Sequence, residues 1–378
     1  MKIIYRVKNL TSFYKLNAYL IMTLSSLGFS FGIIITRMYG ETTELSEVLR
    51  FQSIVALASF ILQLGYRASL RKYYYNGYKK IVSVSHDFFY IFIIFSACMV
   101  LFVEFLYGTN FFIVSSLAVA YLTFLQTQAV VEKNICKQLF CALGNFVICS
   151  SCGVALSFLF IENFIYIELF AFGVILLFFR SVNLKKVYNR RSVVLKILYL
   201  SQSYQIGSFM IVLMVFIVIQ SVVTKHSETD LVIYLADAQL ISGFLVLFIG
   251  QLLILFERIL YNDENINYKI YVCTCAVILL ISMLVSWGYS LIQSTSFYNI
   301  ILFMIILNSR FILGYIVQYV KYYRASFNFL AVFIIGIYFV YYSFYLGDFL
   351  YLQLSPPVLI MLFGFFVLSP SSKKNNET

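Results

Sequence analysis

Charged residues are scarce in this chain. Asp, Glu, Lys and Arg make up 11% of its 378 residues, apolar residues make up 62%, and the mean hydropathy is +0.91. A soluble domain of this length needs more polar surface than that composition supplies. The sequence therefore excludes an ordinary water-soluble domain and predicts an all-α integral membrane protein.

Groups that carry enzyme chemistry are also few. The histidines are His86, at a predicted cytoplasmic boundary, and His226, in a predicted outer loop, and neither lies in a recognisable acyltransferase setting. The sequence has no phosphate-binding glycine loop, metal cluster or nucleophile elbow. Six of the seven cysteines lie in predicted spans and imply neither a disulfide nor a zinc framework. We therefore expect no cofactor and no enzymatic activity.

Twelve apolar runs make up most of the chain, and most of them approach the ~20 residues that a helix needs to cross a bilayer. They cover residues 16–36, 48–66, 88–107, 111–130, 138–160, 163–179, 197–221, 231–256, 270–290, 298–320, 327–346 and 349–368. The longest outward gaps have about a dozen residues, too few for a catalytic domain. The sequence thus predicts about twelve transmembrane helices.

The basic residues alternate between the gaps. Of the 27 Lys and Arg residues, 23 fall in every second gap, counting the two ends as gaps, and Lys225 is almost the only base in the others. Because short basic loops stay on the cytoplasmic side, both termini are predicted to be cytoplasmic. The net charge of +11 is explained by these short loops, which face anionic lipid, so we expect no nucleic-acid partner.

A shift of 187 residues aligns the second half of the chain with the first. Arg50 then meets Asp237, Gln52 meets Gln239, and Arg71 meets Arg258. An even number of spans per half makes such repeats parallel, related by an axis along the membrane normal. We therefore predict two pseudo-symmetric six-helix lobes, 1–179 and 197–370, joined by a basic cytoplasmic linker, 180–196, and followed by a short cytoplasmic tail, 371–378.

The first predicted hairpin contains Thr36-Arg-Met-Tyr-Gly-Glu and the segment from Leu49 to Tyr74. Its first helix ends in a basic residue and a small turn, and its second closes with Leu-Gly, a small residue and a basic-aromatic stretch. These features are Arg37, Gly40, Leu64-Gly65, Ala68 and residues 71–74. The hairpin resembles that of Wzx-type polysaccharide flippases, of the multidrug/oligosaccharidyl-lipid/polysaccharide exporter superfamily.

The resemblance implies a cargo, an oligosaccharide on undecaprenyl diphosphate, carried from the cytoplasmic to the outer leaflet of the bacterial inner membrane. It also implies contact with membrane lipids, and a polysaccharide polymerase and a chain-length regulator as candidate partners. Moving sugar hydroxyls and phosphate charge through hydrocarbon requires a hydrated, positively charged cavity. The sequence should therefore place cations within its spans.

Arg310 is such a cation, near the middle of the run 298–320. Burying an arginine there costs roughly 2.5 to 3.5 kcal/mol on insertion scales, so the residue should face a cavity or a partner. Its guanidinium could hold two phosphate oxygens. The alternative is a structural tie to a carboxylate such as Glu168 or to carbonyl groups at a helix end.

The remaining candidates are polar residues near the outer ends of the spans or along them. Arg50 and Asp237 would close the outer side as an ion pair between the lobes, or each would extend independently to the outer headgroups. Glu168 would be a counter-ion or a protonatable coupling group. The predicted cavity residues are Arg310, Arg50, Arg37, Gln52 and Gln239, and the predicted coupling or gate residues are Asp237 and Glu168. The alternatives are helix anchoring for Arg37 and interhelical hydrogen bonding for the glutamines.

Two other functions remain open. A surface-polysaccharide polymerase has a similar composition, although such enzymes typically carry a large outward loop that this sequence lacks. An ion-coupled multidrug exporter of the same superfamily would need acidic residues deep in one lobe, for which Glu168 and Asp237 are the main candidates, with Glu104 close to a helix end.

Overall fold

The computed structural model describes the chain in parts. These are residues 21, 24, 27–63, 79–107, 112–160, 163–177, 212–213, 215–220, 222–224, 230–243, 268–293, 296–297, 299–301, 303–304 and 307–308. The predicted linker, the last two predicted spans and the predicted tail lie outside these residues, as does Arg310.

Helices account for nearly all of the described residues. In chain order they are α1 Leu27–Tyr39, α2 Thr42–Leu62, α3 Lys79–Tyr107, α4 Ile113–Val131, α5 Ile135–Leu159, α6 Ile165–Leu177 and α7 Tyr268–Gln293. Further helical residues lie at 212–213, 215–220, 222–224, 230–243 and in parts of 297–308. No described residue belongs to a strand, which confirms the all-α prediction.

Four of the described helices are long and apolar enough to cross a membrane. They are α2, the part of α3 from Phe89 to Tyr107, α4 up to Val130, and α5. Helices α1 and α6 are apolar but shorter. These helices indicate a membrane protein, while the twelve spans and the two-lobe layout stay predictions.

The chain divides into two compact units. One unit comprises residues 1–44 and 51–205, and the other comprises residues 45–50 and 206–378. Apart from residues 45–50, helices α1 to α6 belong to the first unit, and α7 belongs to the second. Each unit has its own buried polar groups, described below.

The core of the first unit is built around α4, which packs against α3, α5 and α6. Leu117, Tyr121 and Leu122 of α4 are fully buried, and so are most of its polar side chains. Helix α3 instead exposes an apolar face, with Phe95 67% and Phe105 78% exposed. In a membrane protein such a face meets lipid, so α4 is a central helix and α3 a peripheral one.

Glycines bring α1 and α5 into direct backbone contact. A Cβ at Gly153 of α5 would collide with the main chain of Gly32, and a Cβ at Gly28 would lie 2.5 Å from the carbonyl oxygen of Phe146. Close approach through small residues is a common way for membrane helices to associate, because lipid gives no hydrophobic drive. The contact predicts that even a methyl group at Gly153 would disturb the first unit.

Polar side chains at the end of α4 and the start of α5 stabilise the tight turn between these helices, at the predicted cytoplasmic surface. Lys133 has a left-handed backbone with φ 57°. The side chain of Asn134 caps α5 by accepting from the main-chain N–H of Lys137 at 3.0 Å. Lys137 also lies 3.7 Å from the carboxylate of Glu132 and donates to the side chain of Gln128 at 3.3 Å. The two helices are thus joined without a flexible loop.

In the second unit, α7 presents serines to the interior and large apolar residues to the exterior. Ser282, Ser286 and Ser290 recur at intervals of four residues and are buried, whereas Leu284 and Trp287 are exposed. Residues four apart lie on the same face of an α-helix. The inner face of α7 is therefore a ladder of hydroxyl groups.

Candidate functional site

The start of α4 lacks a capping oxygen of its own. Phe112 occupies the N-cap position with a left-handed backbone, φ 53°, and its side chain makes no capping hydrogen bond. Its buried ring instead packs edge-on against Phe51 of α2 and Phe164, with ring centroids 5.0 and 5.2 Å away. These aromatic contacts hold a backbone conformation that a bulky residue rarely adopts.

Glu168, from the first turn of α6, supplies the missing acceptor. Ser115, the third residue of α4, donates its main-chain N–H to Oε2 at 3.0 Å and its hydroxyl to Oε1 at 2.7 Å. Glu168 is 1% exposed and Ser115 is fully buried. The carboxylate therefore caps α4 from a different helix and gains from the positive end of the α4 dipole.

A second buried carboxylate lies close to the first. Glu104, in the last turn of α3, is 2% exposed and interacts electrostatically with Glu168. Glu104, Ser115 and Glu168 lie at the ends of α3, α4 and α6 that correspond to the predicted outer surface.

The predicted outer arginines are both exposed. Arg37 lies in the last turn of α1, where a cation complements the negative end of the helix dipole. Arg50 donates to Glu47 one turn earlier on α2, at 3.5 Å, with the two side chains 46% and 35% exposed. An exposed pair of this kind contributes little to stability.

The two predicted glutamines differ in environment. Gln52 is buried, and its amide nitrogen donates to the carbonyl oxygen of Phe29 in α1 at 2.7 Å. This hydrogen bond joins α2 to α1 and is of the interhelical kind expected as the alternative to sugar binding. Gln239 is half-buried in the helical segment 230–243, where Asp237 is fully buried.

Two predicted pairings stay predictions. Arg310 is outside the described residues, so its predicted tie to Glu168 stays a prediction. Arg50 and Asp237 both belong to the second unit. Their predicted ion pair likewise stays a prediction.

Sequence reasoning underestimated Glu104 and missed two other polar groups. The sequence indicates Glu104 only as an acid near a helix end, although in the structure it interacts electrostatically with Glu168. Ser115 matters because it lies within hydrogen-bonding distance of Glu168 in α6, and that distance cannot be read from the sequence. Asn308 bridges two serines in the second unit, and its position two residues before Arg310 was the available signal.

Comparisons with protein-family models, with curated proteins and with solved structures find no match to this chain. The described part thus defines a class, a helical membrane protein with buried carboxylates and exposed arginines near one predicted surface. Chemically, this arrangement can attract an anion at the arginines and bind a proton or a cation at the carboxylates. Any narrower assignment is a proposal.

Proposed function

We propose that this protein is a flippase that moves an undecaprenyl-diphosphate-linked oligosaccharide from the cytoplasmic to the outer leaflet of the bacterial inner membrane. The observation that carries the proposal is Arg310, an arginine in the middle of an apolar run. An unpaired cation is unfavourable in hydrocarbon, and a diphosphate is the anion that such a cargo brings into the membrane. The similarity of residues 36–74 to Wzx-type flippases supports the same assignment.

The proposed mechanism is alternating access between two lobes. The cargo headgroup enters from the cytoplasm, Arg310 holds the diphosphate, and polar side chains hydrate the sugars while the polyprenyl tail stays in lipid. Arg37 and Arg50 would meet the diphosphate as it leaves on the outer side. Their exposure in the described part of the chain supports that step.

A second candidate is an ion-coupled exporter of the same superfamily. The specific observation in its favour is the burial of three carboxylates, Glu104, Glu168 and Asp237, each at most 2% exposed. Buried acids in membrane proteins commonly bind protons or cations that drive transport. The two candidates are compatible, because an ion gradient could also bias the states of a flippase.

The deciding experiment deletes the gene in its native host and measures where lipid-linked oligosaccharide accumulates. A flippase predicts complete, unpolymerised units trapped in the inner leaflet, and wild type should clear them. Arg310→Ala should fail to do so, whereas Arg324→Ala, the loss of an arginine at the predicted cytoplasmic end of the same run, should restore transport. Units exposed on the outer leaflet but unpolymerised would instead make the protein a polymerase. Unchanged glycolipid with increased drug sensitivity would favour the exporter.

A further inference from the structure

Asn308 joins three helical segments in the interior of the second unit. Its Oδ1 accepts from the hydroxyl of Ser242, in the segment 230–243, at 3.1 Å, and its Nδ2 donates to the hydroxyl oxygen of Ser282 on α7 at 2.7 Å. All three side chains are at most 1% exposed. Because the two bonds use opposite ends of one amide, they fix how Asn308 sits between its neighbours.

One helical turn beyond Ser282 on the same face of α7 lies Ser286, which is fully buried. Its hydroxyl makes no hydrogen bond to any residue in the described part of the chain. Ser290, a further turn on, differs because its hydroxyl donates to the carbonyl of Trp287 at 2.9 Å. A buried hydroxyl without a partner is unfavourable, and such a group calls for an explanation.

We propose that Asn308 occupies two alternative positions along α7, and that Ser286 is the hydrogen-bond partner of its amide in the second position. We call these positions registers, and the exchange between them the two-register mechanism. In the present register Nδ2 donates to Ser282, and in the other it donates to Ser286, about 6 Å further along α7. One-turn steps of one packed element past another are a known form of conformational switching. Each register satisfies the amide, whereas positions between them do not, so the packing has two states rather than a continuous range.

The hydrogen bond between Ser242 and Asn308 determines which helical segment moves along α7 together with Asn308. If it persists, the segment 230–243 travels with Asn308 along α7, and this segment carries Asp237 and Gln239. By the predicted topology α7 runs outward, so the step carries those residues towards the outer surface. This inference rests on the proposed function, because it supplies the motion that would couple Asp237 to cargo release.

The test places cysteine pairs across the contact in a variant whose seven native cysteines are replaced by alanine. Asn308→Cys is combined with Ser282→Cys, with Ser286→Cys or, as the matched control one turn further on, with Ser290→Cys. The purified proteins are reconstituted in liposomes with and without undecaprenyl diphosphate and treated with a short bis-methanethiosulfonate. A protease site inserted after Gln293 separates the two cysteines, so linked fragments stay together on a non-reducing gel.

The 308/282 pair should link without lipid, and the 308/286 pair should link in a smaller fraction. Undecaprenyl diphosphate should raise that fraction about fivefold, the change that a preference of about 1 kcal/mol for the second register makes. The 308/290 pair should stay at background. Locking the 308/282 pair should stop transport, and reduction should restore it. In the protein that retains Asn308 and Ser282, Ser286→Ala should lower the rate of transport, whereas Ser290→Ala should not.

A 308/286 yield equal to that of the 308/290 control, with and without lipid, would overturn the two-register mechanism. Full transport by protein locked at 308/282 would overturn it as well. Linking of 308/286 that does not respond to undecaprenyl diphosphate would support the register step but count against this cargo. Failure of the inference and failure of the proposed function are therefore distinguishable.

Discussion

Replacing Glu168 should weaken the first unit by an amount that its contacts define. Glu168→Ala leaves the main-chain N–H of Ser115 buried without its acceptor, which costs about 1–3 kcal/mol, and removes one hydroxyl hydrogen bond worth about 1 kcal/mol. The sum is about 2–4 kcal/mol in the free energy of unfolding. Glu168→Gln keeps one acceptor oxygen and should cost only about 1 kcal/mol.

The assay is thermal unfolding in detergent micelles, where a loss near 3 kcal/mol should lower the midpoint by roughly 10 °C for a unit of this size. Ser116→Ala is the control, since the hydroxyl of that neighbouring buried serine donates within its own helix end, to the carbonyl of Phe112 at 2.7 Å. A double-mutant cycle of Ser115→Ala with Glu168→Gln should show coupling, because the two side chains share a bond. If Glu168→Ala were no more destabilising than Ser116→Ala, the capping role would be refuted.

Three further changes give expected outcomes. Gly153→Ala should lower the unfolding midpoint by several degrees because its Cβ would collide with the main chain of α1. The control Gly173→Ala, which has open space around it, should be neutral or slightly stabilising. Equal effects of the two changes would contradict the close contact between α1 and α5. Gln52→Leu should cost about 1 kcal/mol or more by leaving a helix carbonyl without its extra donor, seen as a lower midpoint with transport retained at low temperature. Arg50→Asp combined with Asp237→Arg should recover transport that each single change loses; no recovery would reject the pairing.

The helices of the first unit followed from the sequence because apolar runs of membrane length have few alternatives in lipid. The run predicted at 111–130 corresponds to α4, and that at 138–160 to α5, within three residues. The start of α2 was placed too late, since polar residues from Thr42 onward extend the helix through a capping box formed by Glu41 and Glu44. Hydropathy identifies the apolar part of a helix, whereas the capping residues determine where the helix begins.

The candidate site was less predictable because its groups meet only in three dimensions. The burial of Glu168 could be expected from an acid inside an apolar run, but its bond to Ser115 spans 53 residues of sequence. The same holds for Asn308, whose partners Ser242 and Ser282 look like ordinary small residues in their runs. A single sequence shows that a polar group must find a partner, and packing decides which partner it finds.

The central place of α4 has a consequence for synthesis. This helix carries serines, threonines and glutamines that are buried against α3, α5 and α6 rather than facing lipid. When α4 leaves the ribosome, α5 and α6 have not been made, so those side chains would face hydrocarbon or the insertion machinery. Stable entry of α4 into the bilayer should therefore depend on later segments, and truncation after Val131 should leave it poorly inserted.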